Sequence, residues 1–244
     1  MKPCKNFVKL NAALAPRKIV VFPYAGGSPY AFRDWGPLLE PQHELWSLQL
    51  PGRAGRFGEP CLDDMDAVVD AVMTELPALV AGAQFSFFGH SNGALVAYAC
   101  TQRLERVGAQ LPRHVFLSGQ KAPNGPPRRD SELSDPELVR FLTVLGGMPQ
   151  EVAANEELLG LYLPIIRADM KIGESFRPHD RLRLATPVSV LGGTQDNETT
   201  RETLDGWREF CYSVQRVELL PGDHFFLTPH RDYIVDLVKG SLVG

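Results

Sequence analysis

The 244-residue chain predicts an α/β fold: a mostly parallel central sheet with helices on both faces and one inserted helical stretch. Three observations carry this. Short β-branched or apolar runs recur along the chain, and segments with helical spacing separate most of them. The strongest run, residues 18–22, stops at Pro23 and Gly26-Gly27, as a buried parallel strand does. The alternation breaks once, between Gln120 and Ala185, where helical patterns occur without a convincing strand. The expected organisation is one domain over residues 1–244, with 121–185 as a helical lid inserted in it.

In chain order, the run at 18–22 is the first central strand, and further strands are expected at 44–50, 85–88, 114–117, 187–191 and 214–220. A helix over 66–80 places Val69, Val72, Met73, Leu76 and Leu79 on one face. The segment 94–107 is rich in Ala and Leu, as a helix packed on a sheet should be. Late helices are expected over 199–210 and 231–243. Within the insertion, helical patterns cover 135–145 and 155–172. The first begins at Asp135-Pro136, read as an N-cap followed by proline at the first helical position. Leu138, Phe141, Leu142 and Leu145 then form an apolar stripe, which in a lid can cover an active site.

Composition excludes several classes. Hydrophobic residues make up 44% and charged residues 22%, ordinary for a globular chain. A net charge of −4 argues against generic nucleic-acid binding, because a phosphate-tracking surface needs an excess of Lys and Arg. Cys4, Cys61, Cys100 and Cys211 are scattered, with no Cys-x-x-Cys pair and no His cluster at ligand spacing. They read as reduced thiols, and neither a metal nor a cofactor is expected. Phe7-Val8 is too short for a signal-peptide apolar region, and no stretch could span a bilayer. The expectation is a cytoplasmic monomer that binds neither nucleic acid nor membrane.

The chemistry centres on Gly89-His90-Ser91-Asn92-Gly93, which follows a strand run and precedes a helical one. A serine on such a tight turn has unfavourable backbone angles and crowded neighbours, which glycines relieve by lacking a Cβ. The helix starting after Ser91 would aim unpaired N–H groups at an oxyanion. Serine needs a base, and six histidines compete. His224 is favoured because Pro221-Gly222-Asp223-His224 follows the last strand, at the sheet edge where the Ser91 turn lies. His90 neighbours Ser91, but adjacent residues on such a turn diverge, so it reads as a packing residue. His43, His114 and His179 have no comparable placement, and His230 begins the last helix. The carboxylate that fixes the base's tautomer is expected to be Asp196, which follows the strand at 187–191; Asp223, Glu198 and Asp205 are weaker rivals. Two backbone N–H donors should hold the oxyanion. One is that of Asn92. The other comes from the loop Pro23-Tyr24-Ala25-Gly26-Gly27-Ser28, with Ala25 preferred and Tyr24 its nearest rival. That loop lacks the Gly-Lys-[Ser/Thr] ending and the Gly-x-Gly-x-x-Gly spacing of nucleotide cradles.

With these residues in place, the chain resembles the type II thioesterases of the α/β-hydrolase superfamily, which accompany polyketide and nonribosomal peptide synthetases. The resemblance rests on Phe22 to Ser28, Leu50-Pro51-Gly52-Arg53 with Arg56 and Glu59-Pro60, the pentapeptide around Ser91, Leu191-Gly192-Gly193 with Asp196, and Gly222 to Leu227. Arg167-Ala168-Asp169, Glu174 and Phe176 resemble the end of the family's lid. The resemblance implies hydrolysis of an acyl or aminoacyl thioester on the phosphopantetheine arm of an acyl or peptidyl carrier protein. It implies Ser91 as nucleophile, Asp196 as acid, His224 as base, and the amides of Ala25 and Asn92 as oxyanion donors. One position departs from the pattern: the residue after the serine is usually apolar, often Met, and here it is Asn92, which brings a polar side chain near the acyl group. Lys121, Arg128 and Arg129 could meet acidic residues of a carrier protein, but a solvated charged loop is the favoured reading of them. The alternatives are a serine esterase or acyltransferase on small free substrates, and a non-catalytic protein that docks a synthetase.

Overall fold

A computed structural model describes residues 4–126, 129–178 and 183–242. Its sheet contains β1 (Phe7–Lys9), β2 (Arg17–Phe22), β3 (Glu44–Leu48), β4 (Gln84–His90), β5 (Val115–Ser118), β6 (Val188–Gly193) and β7 (Val214–Leu220). They lie in the order β1-β3-β2-β4-β5-β6-β7. β1 pairs antiparallel with β3 and all other pairings are parallel. The expected strands are present. β1 is an addition, because three residues are too few to show periodicity.

The helices are α1 (Gly36–Leu39), α2 (Met65–Met73), α3 (Leu76–Val80), α4 (Asn92–Arg106), α5 (Asp135–Val144), α6 (Gln150–Ala153), α7 (Glu156–Ser175), α8 (Arg201–Asp205) and α9 (Arg231–Gly240). They cover both faces because the strands are apolar on both. Along β2, Val20 and Phe22 join the core under α2 and α4, whereas Ile19 and Val21 join the one under α9. This two-residue alternation makes each parallel strand a wall of two cores.

Two expected helices are divided. The one over 66–80 breaks between α2 and α3, since Pro77 lacks an N–H and its ring would strike the carbonyl of Met73 in a continuous helix. The one over 199–210 becomes α8 followed by a 3-10 turn, Gly206–Glu209. Gly206 sits where an added Cβ would come within 3.1 Å of Ala122. The last helix stops at Gly240, and Val243 lies outside the described residues.

Between β5 and β6, the described residues form α5, α6 and α7 with no strand. Leu138, Leu142, Met148, Leu163 and Ile166 give this stretch a small core of its own. The N-cap of α5 is Ser134 rather than Asp135, which becomes the first helical residue. Ser134 wins because the Glu137 carboxylate accepts from both its N–H, at 2.9 Å, and its hydroxyl, at 2.5 Å.

Burial of His114, on the strand edge beside Ser189, pushes its imidazole down to about 4. The unfolded chain, with a value of about 6.5, binds the proton more tightly. Stability is therefore full above about pH 6.5 and falls by about 3 kcal/mol as pH drops to 4. Denaturant titrations at pH 7 and pH 4.5 should show that His114→Asn flattens this loss. An unchanged slope would refute the assignment.

Candidate active site

Ser91 sits between the end of β4 and the start of α4 with φ 54° and ψ −125°, a conformation that a side-chain-bearing residue holds only under strain. Its N–H donates to the Ser118 carbonyl at 2.7 Å, and its own carbonyl accepts from Ala94 at 2.9 Å. These bonds tie the turn to β5 and α4. The flanking glycines permit this closeness: a Cβ on Gly93 would lie 2.0 Å from the Phe22 carbonyl oxygen, and one on Gly89 would lie 2.3 Å from that of Gly93. Both obstacles are backbone, so no rotamer can relieve them. Gly93→Ala should cost about 3 kcal/mol or more by forcing α4 away from β2. A urea melt run alongside turnover checks this, and a stable, fully active variant would contradict it.

His224 lies in the loop after β7, and Asp196 in the loop after β6. The His224 Nδ1–H donates to Asp196 Oδ2 at 2.8 Å. Asp196 also accepts from the Glu198 N–H at 2.9 Å and the Thr199 hydroxyl at 2.9 Å. Burial opposes ionisation of this carboxylate, but the hydrogen bonds and the nearby imidazole outweigh it and hold the pKa below its usual value. Asp196 is therefore an acceptor, which assigns the His224 proton to Nδ1 and leaves Nε2 with a lone pair. Among the described residues, that buried Nε2 has no hydrogen-bond partner.

Ser91, His224, Ala25 and Asn92 all line one cavity of about 520 Å³. Among the described residues, no acceptor engages the N–H of Ala25 or of Asn92. The segment between β5 and β6 adds an apolar lining that includes Leu142, Leu145, Met148, Val152, Ile166 and Met170. The arrangement presents the hydroxyl of a strained serine, a free imidazole lone pair and two unpaired backbone donors to one half-open cavity. A carbonyl carbon held there could be attacked and its oxygen stabilised.

The rival candidates fall elsewhere, as expected of them. His230 Nε2 meets the Pro221 carbonyl at 2.8 Å and His114 meets Ser189 at 2.8 Å, while His43 is buried at a distant edge. Asp223 turns its carboxylate to the N–H of Phe225. His179 and Arg128 lie outside the described residues. Arg129 is exposed and paired with Glu132 at 3.4 Å, whereas Lys121 lines the cavity. His90 is a packing residue, as expected, and the residue it packs against is His224. Its ring packs 5.1 Å from that of His224, with Nδ1 held by the Ser118 hydroxyl at 2.9 Å. Burial and the neighbouring His224 push its pKa well below the ordinary value, so a neutral ring backs His224.

Asn92 lines the same cavity, and its side chain has a partner that the sequence did not indicate. Its side-chain amide donates to the Asp169 carbonyl of α7 at 2.8 Å. Its Oδ1 lies where a Cβ on Gly173 would come within 2.4 Å. The polar group is thus engaged with α7. The Asp169 carboxylate was missed as a contributor: it is buried, accepts from the Gly26 N–H at 2.7 Å and receives both terminal nitrogens of Arg53 at 2.6 Å. The pair is 116 positions apart, and only the presence of both residues in motif-like segments hinted at it.

Comparison with known proteins gives a consistent picture. A family described as "Thioesterase domain" matches residues 17–242. The gramicidin S biosynthesis protein GrsT of Aneurinibacillus migulanus is 33% identical, over 98% of this chain and 94% of its own. Among solved structures, the RedJ thioesterase from the prodiginine biosynthetic pathway of Streptomyces coelicolor is 36% identical, covering 93% of this chain and 91% of its own, with a TM-score of 0.84. BorB, the type II thioesterase from the borrelidin biosynthetic cluster, is 31% identical, covers 98% of each chain and has a TM-score of 0.86.

Proposed function

The chain belongs to the thioesterase family, as a type II thioesterase of nonribosomal peptide and polyketide synthesis, and we propose that it hydrolyses acyl or aminoacyl thioesters carried on the phosphopantetheine arm of acyl or peptidyl carrier proteins, clearing or releasing chains. Ser91 is the nucleophile, His224 the base, Asp196 the acid that orients it, and the N–H groups of Ala25 and Asn92 the oxyanion donors. The helical stretch within 121–185 is the lid. The observation that carries this reading is the buried imidazole of His224, held by a carboxylate at Nδ1 and left unpartnered at Nε2 in a cavity shared with a strained serine.

The steps follow from those positions. Ser91 Oγ adds to the thioester carbonyl carbon while His224 Nε2 takes its proton, and the charge that develops on oxygen meets the two N–H donors. Collapse breaks the C–S bond, and the departing thiolate takes the proton from His224. Water then attacks the acyl-serine with His224 again as base, releasing a carboxylic acid and restoring Ser91. A thiolate leaves readily, so holding the oxyanion and activating water are the main demands. The apolar lining suits an aliphatic or aromatic acyl group. In this reading the enzyme works as a cytoplasmic monomer.

Two measurements test the reading. A fluorophosphonate should label Ser91, and labelling elsewhere, or none, would count against an activated serine. Hydrolysis of a panel of acyl groups should be faster from a loaded carrier protein than from matched free esters. Equal or higher turnover of the free esters, or transfer to an alcohol, would favour the esterase or acyltransferase alternative.

A further inference from the structure

We propose that Asp169, seated on the lid helix α7 and clamped by Arg53, is a positioning residue for the oxyanion loop, so that the Ala25 donor is aligned only when α7 is in place. The inference rests on the assignment of Ala25 as an oxyanion donor. The loop from Tyr24 to Gly27 is closed by the Gly27 N–H donating to the Tyr24 carbonyl at 2.8 Å. Gly26 occupies the third position with φ +75°, as in a type II turn. The Tyr24 carbonyl and the Ala25 N–H belong to one peptide and point in opposite directions, so fixing the carbonyl aims the N–H at the cavity.

The turn is fixed in itself, but its seat against the cavity depends on what anchors it from outside, and an unanchored turn would carry the Ala25 N–H with it as it shifts. Asp169 is that anchor. Its Oδ2 accepts from the Gly26 N–H at 2.7 Å, and the Asp169 side chain is 2% exposed. Arg53 grips both carboxylate oxygens at 2.6 Å and reaches the Gly27 carbonyl at 3.3 Å. A planar fork of this kind fixes the orientation of the carboxylate as well as its charge. From the same helix, Ile166 lies against Gly26 so closely that an added Cβ would sit 2.6 Å from its Cγ1. The Asp169 carbonyl in turn holds the side chain of Asn92, the residue that supplies the other donor. One turn of α7 thus touches both halves of the oxyanion site.

A buried ion pair of this kind is not required for stability, since apolar residues of similar volume can replace it. That separates positioning from folding. The double variant Arg53→Met/Asp169→Leu should melt near the wild-type temperature, yet leave the Gly26 N–H without its acceptor. Its kcat on a loaded carrier protein should fall about 100-fold with KM little changed. Affinity for an acyl trifluoromethyl ketone, which adds the Ser91 hydroxyl reversibly to give a tetrahedral oxyanion, should fall in parallel, while affinity for the matching non-electrophilic amide should not. Asp169→Ala, assayed at a temperature where circular dichroism shows it folded, should give the same split. Wild-type kcat in either folded variant, or equal losses for ketone and amide, would overturn the proposal. Ser91→Ala in the same assay keeps the two readings apart: if it is inactive while the Asp169 variants are fully active, only the positioning role fails.

Discussion

Ser91→Ala should lower kcat for release of acyl groups from a loaded carrier protein by about 10⁵-fold, with the fold unchanged. Alanine can occupy the same backbone conformation as Ser91, whose N–H and carbonyl carry the bonds that hold the turn. Only the hydroxyl is lost. With it goes the acyl-enzyme route, and what remains is direct attack by water on the thioester, helped by His224 and the two N–H donors but with no positioned nucleophile. His224→Ala should cost nearly as much, because it removes the acceptor for the serine proton. The double variant should be scarcely worse than either single one, since the two groups act as a unit. Mass spectrometry of the carrier protein reads the result directly: the wild type strips the acyl group and Ser91→Ala leaves it in place. Undiminished release would remove Ser91 from the mechanism.

The parts of this site that were legible in the sequence are those with local causes. Gly89 and Gly93 could be read as necessary because the clash they avoid arises within a strand-turn-helix unit, and the observed approaches of 2.3 and 2.0 Å are that clash. His224 and Asp196 could be read because parallel strands deliver their following loops to one sheet edge, and β6 and β7 do so. The N-cap of α5 went one residue astray because Asp135 and Ser134 are both good caps, and the reach of Glu137 decided between them. The break between α2 and α3 was signalled by Pro77, but the apolar periodicity continues across it and masked the stop. Contacts between distant segments were not legible. Nothing near Asn92 says that its amide turns to a carbonyl on α7, and nothing near Asp169 says that its carboxylate meets a loop 143 residues earlier. His90 could be read as a packing residue, but its partner could not, since its neighbour in space is set by the loop after β7.

Asp196→Asn should reduce kcat by about 10⁴-fold, equivalent to about 5 kcal/mol of transition-state stabilisation, although it changes neither the size nor the shape of the side chain. Asp196 Oδ2 now accepts from both His224 Nδ1 and the Thr199 hydroxyl, and Oδ1 accepts from the Glu198 N–H. An asparagine has one accepting oxygen. The Glu198 N–H is a fixed backbone donor and will claim that oxygen, which turns the amide NH₂ toward His224. The ring must then accept at Nδ1 and carry its proton on Nε2, the tautomer that cannot take a proton from Ser91. The Thr199 hydroxyl can rotate to accept from the same NH₂, so the wrong arrangement is well satisfied and no strain drives it back. KM should change little, because Asp196 is shielded from the cavity by the imidazole. Thr199→Val removes only one donor from an otherwise held carboxylate and should cost about 1 kcal/mol, or about fivefold in kcat. Observing the Nε2-protonated ring in Asp196→Asn by nitrogen NMR would confirm the cause, and a variant retaining the Nδ1-protonated ring and near-normal kcat would show that Asp196 does not set the tautomer.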